Sequence, residues 1–217
     1  PVSSVRMMLL TGQRNIYYVR RRAIDTVHAN EDIQLGVEAE ASFGPTLPVL
    51  SDDRDVAVGL RLAAAGEVGE SLLAGGQFTF EGRRSYESIP DLPEWHDVLA
   101  EVDFWSYYRP SPRSNHLWVL SVSALGGWHS RIPFQLTLGG EAGLRGYPRH
   151  VDPGGRRIVG TIEHRAYLGW PMPDLFDLGT VAFIDVGKIW PGDAPFGVES
   201  PIRASIGAGI RAAFPPG

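Results

Sequence analysis

The sequence predicts an all-β protein, a partial antiparallel transmembrane β-barrel of about ten strands with one long loop folded inward. Stretches in which apolar and polar residues alternate with a period of two recur along the chain. Several of them run for about 10 to 13 residues, which is long for a globular strand and suits a tilted membrane strand. Their charged residues lie mainly on one side, as expected if the other side faces lipid.

The composition is that of a folded chain with many turns. Of the 217 residues, 43% are hydrophobic and 21% are charged, which excludes a disordered protein. The 26 glycines and 17 prolines suit a protein with many turns. The net charge of -5 argues against a nucleic-acid surface, and the absence of cysteine excludes disulfides and thiolate metal sites.

The predicted strands follow one another along the chain. The clearest, residues 33–43, places six apolar side chains from Ile33 to Phe43 on one face, with Glu38 and Glu40 on the other. Residues 56–64 and 72–80 form a predicted hairpin. The full set, in which 5–10 is a short strand or a lead-in, is 5–10, 16–26, 33–43, 56–64, 72–80, 98–108, 117–128, 158–170, 178–190 and 202–214.

Two clusters at strand ends each allow two interpretations. Trp105, Tyr107 and Tyr108 gather at the end of one predicted strand, where they form either a girdle at a membrane interface or ordinary packing. The three arginines at positions 20–22 mark a solvated strand end, or they line a lumen or meet lipid phosphates.

A long segment rich in glycine and proline, residues 130–157, separates two of the predicted strands. Its tetrad LRGY places Arg145 where a surface loop would normally carry a small polar residue. Asp185 follows later, in the sequence FIDVG, among apolar neighbours. A guanidinium group pairs well with a carboxylate through two parallel hydrogen bonds. We therefore expect the loop to fold inward, so that Arg145 meets Asp185 or Glu163, the acid on the strand between.

Three motifs occur in a fixed order: LGGEAGLRGY at 138–147, GTIEHR at 160–165 and FIDVG at 183–187. Together they resemble the C-terminal barrel of the BamA/TamA and TpsB outer-membrane superfamily, also called the bacterial surface antigen family. The part of the chain that carries the motifs covers roughly residues 134–214. The N-terminal part is similar to the family in its strand pattern only.

The resemblance implies which residues form the site. Arg145, Asp185 and Glu163 would make a contact between loop and lumen wall that supports the integrity of the barrel and its transport activity. The other motif residues are Leu144, Gly146 and Tyr147 in the loop, and Gly160, Phe183 and Gly187 on the strands. Gly146 permits a backbone conformation closed to other residues. Tyr147 and Phe183 would pack the base of the loop, and ordinary core packing explains Phe183 equally well.

The resemblance also implies a location and a function. The chain would lie in a bacterial outer membrane and would insert barrel proteins into that membrane or move polypeptide across it, without a cofactor or a metal. Its partners would be the lipid bilayer and polypeptide clients, with periplasmic chaperones or accessory lipoproteins as further candidates and no nucleic acid. Family barrels have more strands and carry periplasmic POTRA modules, so residues 1–217 are expected to be a fragment that lacks the last strands and any POTRA modules. The alternative is a smaller closed barrel of about ten strands.

An enzyme is not expected, because the six histidines are scattered and form no HExxH motif. Glu163 and His164 are adjacent on a strand and point to opposite faces, so they do not form a catalytic pair. Glu38 and Glu40 share one face, where a hydrated lumen wall explains them more simply than paired catalytic carboxylates do. Two other classes stay open: a passive outer-membrane pore, in which Arg145 would be dispensable, and a soluble β-sandwich binding domain.

Overall fold

The computed structural model describes residues 4–27, 29–86, 93–140, 143–149, 151–172 and 176–214. Every named element in these ranges is a β-strand, so the all-β prediction is confirmed. The described residues contain no helix with the length and hydropathy needed to cross a membrane. The strands are β1 (Leu9–Arg22), β2 (Asn30–Pro45), β3 (Asp55–Val68), β4 (Leu72–Ser85), β5 (Trp95–Tyr108), β6 (His116–Trp128), β7 (Leu136–Thr137), β8 (Pro153–Gly154), β9 (Arg156–Met172), β10 (Phe176–Trp190) and β11 (Arg203–Ala213).

Nine of these strands form one antiparallel sheet, in the order β1-β2-β3-β4-β5-β6-β9-β10-β11. The short strands β7 and β8 form a separate two-stranded ribbon. Among the described strands, β1 and β11 each pair on one side only. These strands therefore form an open sheet and no closed barrel, and the transmembrane barrel stays a prediction.

The first strand differs from the prediction of two stretches at 5–10 and 16–26. The structure has one strand, β1, which pairs with β2 from Leu9 opposite Phe43 to Arg22 opposite Asn30. Most side chains of β1 are exposed. Because β1 lies at the edge of the sheet, burial imposes little apolar alternation on it, and its middle shows no clear pattern.

The two faces of the sheet differ in chemistry. Ile162, Ile184 and Ile206 lie directly opposite one another on β9, β10 and β11, so they share a face. They are 50%, 49% and 82% exposed. We call this the outer face. Asp185, the neighbour of Ile184, is fully buried on the opposite, inner face.

Strand β2 changes faces near its middle, so the prediction of a single apolar face from Ile33 to Phe43 is wrong. Leu35 is 1% exposed and belongs to the core on the inner face, whereas Val37 is 59% exposed. Gly36 lies between them with a φ of 115°. This backbone conformation is open to glycine and breaks the period-two alternation.

The larger core lies on the inner face, around the turn between β1 and β2. We call Ala23 to Val27 the β1–β2 turn; its buried members are Ala23, Ile24 and Val27. The cluster around them comprises Leu35 of β2, Leu73 of β4, Leu117 and Val119 of β6, and Tyr167 of β9. Because side chains from strands this far apart in the sheet meet at one turn, the sheet curves around the turn.

The aromatic cluster at the end of β5 divides between the two faces. Trp105 and Tyr107 pack against the core around the β1–β2 turn, which is ordinary interior packing. Tyr108 is 47% exposed. A membrane girdle could therefore include Tyr108 but not the other two.

A second core holds the long loop, residues 129–155, which contains β7 and β8. Leu138 and Leu144 of this loop are fully buried against Val159 of β9 and Ile189 of β10. In the antiparallel sheet, β6 ends and β9 begins at the end opposite to the one where β1 meets β2. The long loop and the β1–β2 turn therefore enter the inner face from opposite ends.

Candidate functional site

Arg145 reaches from the long loop to Asp185 on the inner face of β10. Its Nε donates a hydrogen bond to Asp185 Oδ2 at 2.9 Å, and its Nη2 donates to Oδ1 at 2.6 Å. The backbone amide of Arg145 also donates to Oδ2, at 3.2 Å. The two side-chain bonds form a planar fork, which fixes both the position and the rotation of the guanidinium group.

Asp185 is fully buried and is held by both neighbouring strands. Thr161 of β9 and Ser205 of β11 lie directly opposite it in the sheet. Their hydroxyls donate to the carboxylate at 2.9 Å and 3.3 Å. A buried carboxylate requires such partners, because a charge removed from water without compensation is very costly.

Glu163 of β9 brings a second arginine into the site. Arg145 Nη1 donates to its Oε1, and Arg165 Nη2 lies 2.8 Å from its Oε2. We call Arg145, Glu163, Arg165 and Asp185 the arginine–carboxylate cluster; its two positive and two negative charges balance. The hydrogen bond with Asp185 raises the pKa of Arg145 above its ordinary value, so the guanidinium stays charged.

An aromatic ring supports the guanidinium from one side. The Cζ atom of Arg145 lies 3.5 Å from the centre of the Phe183 ring, which is a cation–π contact. Gly207 of β11 lies opposite Phe183, and a Cβ atom there would come within 2.4 Å of the ring. Phe183 therefore supports Arg145 itself, which is a more specific role than packing the base of the loop.

The remaining loop-motif residues hold the backbone around Arg145. Leu144 is fully buried in the second core. Gly146 has a φ of 83°, a conformation that residues with a side chain rarely adopt. The Tyr147 hydroxyl donates to the carbonyl oxygen of Ala204 at 3.1 Å, which ties the loop to β11. The structure thus places all three beside the cluster.

The two strand-motif glycines differ. A Cβ atom on Gly187 would lie 2.9 Å from Leu138 Cδ1 and 3.1 Å from the carbonyl oxygen of Ile158. Gly187 therefore lets the loop pack closely on β10. A Cβ atom on Gly160 would meet nothing closer than 4.0 Å, so no steric reason for a glycine exists there.

Comparison with known proteins assigns no family to this chain. No protein-family model matches it. No curated protein and no solved structure matches it either. The resemblance of its motifs to the bacterial surface antigen family therefore stays a prediction, and the role of the arginine–carboxylate cluster follows from its geometry.

A second loop arginine, which the sequence did not single out, anchors the other side of the long loop. Arg131 contacts Asp97 of β5 through its Nε at 3.2 Å and Asp53 through its Nη1 at 3.3 Å. Its backbone amide donates to Asp97 at 2.7 Å. Asp97 comes close through the pairing of β5 with β6, in which Val98 lies opposite Trp128. Asp53 precedes β3, which is not a neighbour of β6 in the sheet. The only feature of the sequence that pointed to this anchor was the presence of Arg131 in the long loop.

Two further anchors were also missed. Asp152 of the long loop pairs with Arg203 of β11 through both carboxylate oxygens. Arg165 lies two residues after Glu163, and residues two apart on a strand share a face. The motif GTIEHR therefore contained enough information to place Arg165 beside Glu163.

His164 lies outside the site. Its Nε2 is 3.2 Å from Nδ1 of His116, and its ring packs on Trp118. It does not approach Glu163, which faces the cluster on the inner side. In the part of the chain that the structure describes, no group of three or more histidine, aspartate or glutamate side chains could hold a metal ion.

Proposed function

We propose that this chain forms the wall of a bacterial outer-membrane β-barrel of the protein assembly and translocation type. It would insert barrel proteins into the outer membrane or move polypeptide across it. The single observation that carries the membrane part of the proposal is the exposed apolar outer face of the nine-stranded sheet. The resemblance of the three motifs supports the choice of assembly and translocation.

The outer face is apolar over most of the sheet. Residues on it that are at least two-fifths exposed include Val37, Leu62, Val102, Phe104, Trp118, Ile158, Ile162, Ile184, Val186, Ile206 and Ile210. Cross-strand register joins them into rows; in one row Leu120, Ile162, Ile184 and Ile206 are direct neighbours. Soluble monomers rarely expose an apolar surface this continuous.

The energetic cost of leaving this face in water is large. Burying one large aliphatic side chain stabilises a protein by about 1.5 to 3 kcal/mol. About ten such side chains therefore represent on the order of 10 kcal/mol or more, which is comparable to the whole free energy of unfolding of a domain. Lipid chains against the outer face supply this stabilisation, as they do for membrane strands.

The inner face suits a hydrated interior. Arg14 and Glu38, for example, form an ion pair at 2.5 Å across β1 and β2. The arginine–carboxylate cluster holds the long loop against this face. Because the Arg145 fork allows one orientation, the loop gives the interior one defined shape at rest. On our proposal, this shape is what a polypeptide client meets.

The membrane part is tested by refolding the full chain with and without detergent micelles and recording circular dichroism. We expect a strand signal that develops only with micelles, since the outer face needs an apolar solvent. A well-folded monomer in plain buffer would contradict the proposal and would favour the soluble binding domain.

The assembly part needs an activity. Vesicles that contain the refolded chain should accelerate the insertion of an unfolded outer-membrane barrel protein, and Arg145→Ala should reduce this acceleration. Arg113→Ala is the matched control, because Arg113 lies exposed between β5 and β6. If the vesicles leak small solutes but neither the wild type nor the variants change the insertion rate, the chain is a passive pore instead.

A further inference from the structure

The β1–β2 turn is built as a compact unit around one carboxylate. Glu31 of β2 accepts backbone hydrogen bonds from Ile24 at 3.0 Å, Asp25 at 3.1 Å and Thr26 at 3.0 Å. The Thr26 hydroxyl donates to the same carboxylate at 2.8 Å. With three amides fixed on one group, the turn moves as a whole rather than residue by residue.

Several distant side chains hold this unit against the inner face. Arg109 donates to the carbonyl oxygen of Ala23 at 2.7 Å, and Tyr167 donates to that of Ile24 at 3.3 Å. Arg211 of β11 donates to the carbonyl oxygen of Asp25. These contacts attach the turn to the sheet, but none of them involves the long loop.

Arg165 differs from these side chains, because it belongs to the arginine–carboxylate cluster and also contacts the turn. Its Nη1 donates to the carbonyl oxygen of Ile24 at 2.7 Å and to Asp25 Oδ1 at 2.9 Å. Its Nε donates to Glu163 Oε2 at 2.8 Å. The Arg165 side chain is 13% exposed and that of Asp25 is 59% exposed. Solvent therefore competes little for the bonds to Ile24 and Glu163 and more for the bond to Asp25.

We propose that Arg165 couples the two inward-folded segments. When the bonds of Arg145 to Asp185 and Glu163 break and the long loop is released, the β1–β2 turn at the opposite end of the sheet loosens. The path consists of alternating charges: Arg145, Glu163, Arg165 and Asp25. Glu163 gives one oxygen to each arginine. When Arg145 leaves, Glu163 keeps its bond to Arg165 but is no longer held in place from the side of the loop. The orientation of the Arg165 fork toward the turn is then less constrained.

The coupling rests on these contacts and does not require the membrane assignment. If the proposed function also holds, the coupling gives the interior two segments that respond to one another, one from each end. Arg165 is a positioning residue in this scheme, because it acts through Glu163 and the turn rather than on a client.

Hydrogen exchange measured by mass spectrometry tests the coupling in the refolded full chain, in whichever medium gives the wild-type strand signal. Arg145→Ala should speed the exchange of the amides of Ile24, Asp25 and Thr26 on the order of tenfold, because a charged hydrogen-bond partner is lost along the path. In the background of Arg165→Ala, which itself speeds exchange in the turn, Arg145→Ala should add no further increase.

Asp152→Asn is the matched control. It removes a loop anchor to Arg203 that does not lead to the turn, so exchange should rise in the loop and stay unchanged in the turn. Where Arg145→Ala does not fold, Arg145→Lys keeps the charge and loses the fork, and is compared in the same two backgrounds. Equal effects of the Arg145 substitution with and without Arg165, or no effect on the turn, would overturn the coupling. Either result leaves the refolding and insertion experiments, and so the proposed function, untouched.

Discussion

At the scale of residues, Asp185 is the buried carboxylate that holds Arg145 of the long loop. It accepts bonds from Arg145, Thr161 and Ser205 while its side chain has no exposed surface. The sequence predicted that Arg145 would meet Asp185 or Glu163, because a loop arginine and a carboxylate among apolar neighbours need one another. It did not predict that both acids bind at once, since that depends on the positions of the strands in space.

Asp185→Asn should therefore destabilise the protein. An amide keeps the shape of the carboxylate but loses its charge, and its NH2 group would face the donors of Arg145. Because Arg145 is 36% exposed and can turn toward water, we expect a loss of about 2 kcal/mol, less than for a fully buried pair. The midpoint of urea unfolding, followed by circular dichroism, measures this loss.

The control for this prediction is the same substitution in an exposed ion pair. Asp32 and Arg20 are 58% and 72% exposed at their side chains. Asp32→Asn should change the free energy of unfolding by about 0.5 kcal/mol or less. Similar shifts for the two variants would show that the Arg145 pair contributes no more than a surface pair.

At the scale of elements, the close contact between the long loop and β10 depends on Gly187. Gly187→Ala should weaken the docking of the loop by about 1 to 2 kcal/mol, because the carbonyl oxygen of Ile158 and the side chain of Leu138 must move to admit a methyl group. Limited proteolysis within residues 129–155 should become faster in this variant.

Gly160→Ala provides the comparison for that variant. The space around Gly160 is open to 4.0 Å, and an alanine loses less conformational entropy in a strand than glycine does. We expect proteolysis of the loop to stay at the wild-type rate. If both substitutions speed proteolysis alike, the motif glycines act through the backbone of the strands and not through contact with the loop.

The strands themselves were largely predictable, and the exceptions have physical causes. Alternation located β3, β4, β5, β9, β10 and β11 because one face of each is apolar, whereas β6 was predicted as a strand that is apolar on both faces. It failed along β1, an edge strand with little burial, and at Gly36, where a positive φ exchanges the faces of β2. The inward position of the β1–β2 turn could not be predicted, because its partners Arg165 and Tyr167 are more than a hundred residues away.

At the scale of the whole molecule, charge and hydropathy are divided between two faces. On the inner face, charged side chains hold two chain segments. Arg145 holds the long loop, and Arg165 holds the β1–β2 turn. The outer face carries apolar side chains that remain partly exposed in the described part of the chain. On the proposed function, the outer face would meet an apolar solvent and the inner face a polar one, and this expectation can be measured site by site.

The chain has no cysteine, so single cysteines can carry an environment-sensitive fluorophore. Leu62 is an outer residue of β3, and its neighbour Arg61 reaches Gln77 on the inner side. In lipid vesicles, a label at Leu62→Cys should emit at a shorter wavelength than the same label on the chain unfolded in denaturant without detergent, because acyl chains surround it. A label at Arg61→Cys should keep the emission of a hydrated probe and respond to a water-soluble quencher.

Ile206→Cys on β11 should behave like Leu62→Cys, since both lie on the outer face. Equal emission from adjacent positions would mean that the two faces meet the same solvent, and a shielded label at Leu62→Cys without vesicles would mean that protein rather than lipid covers the outer face.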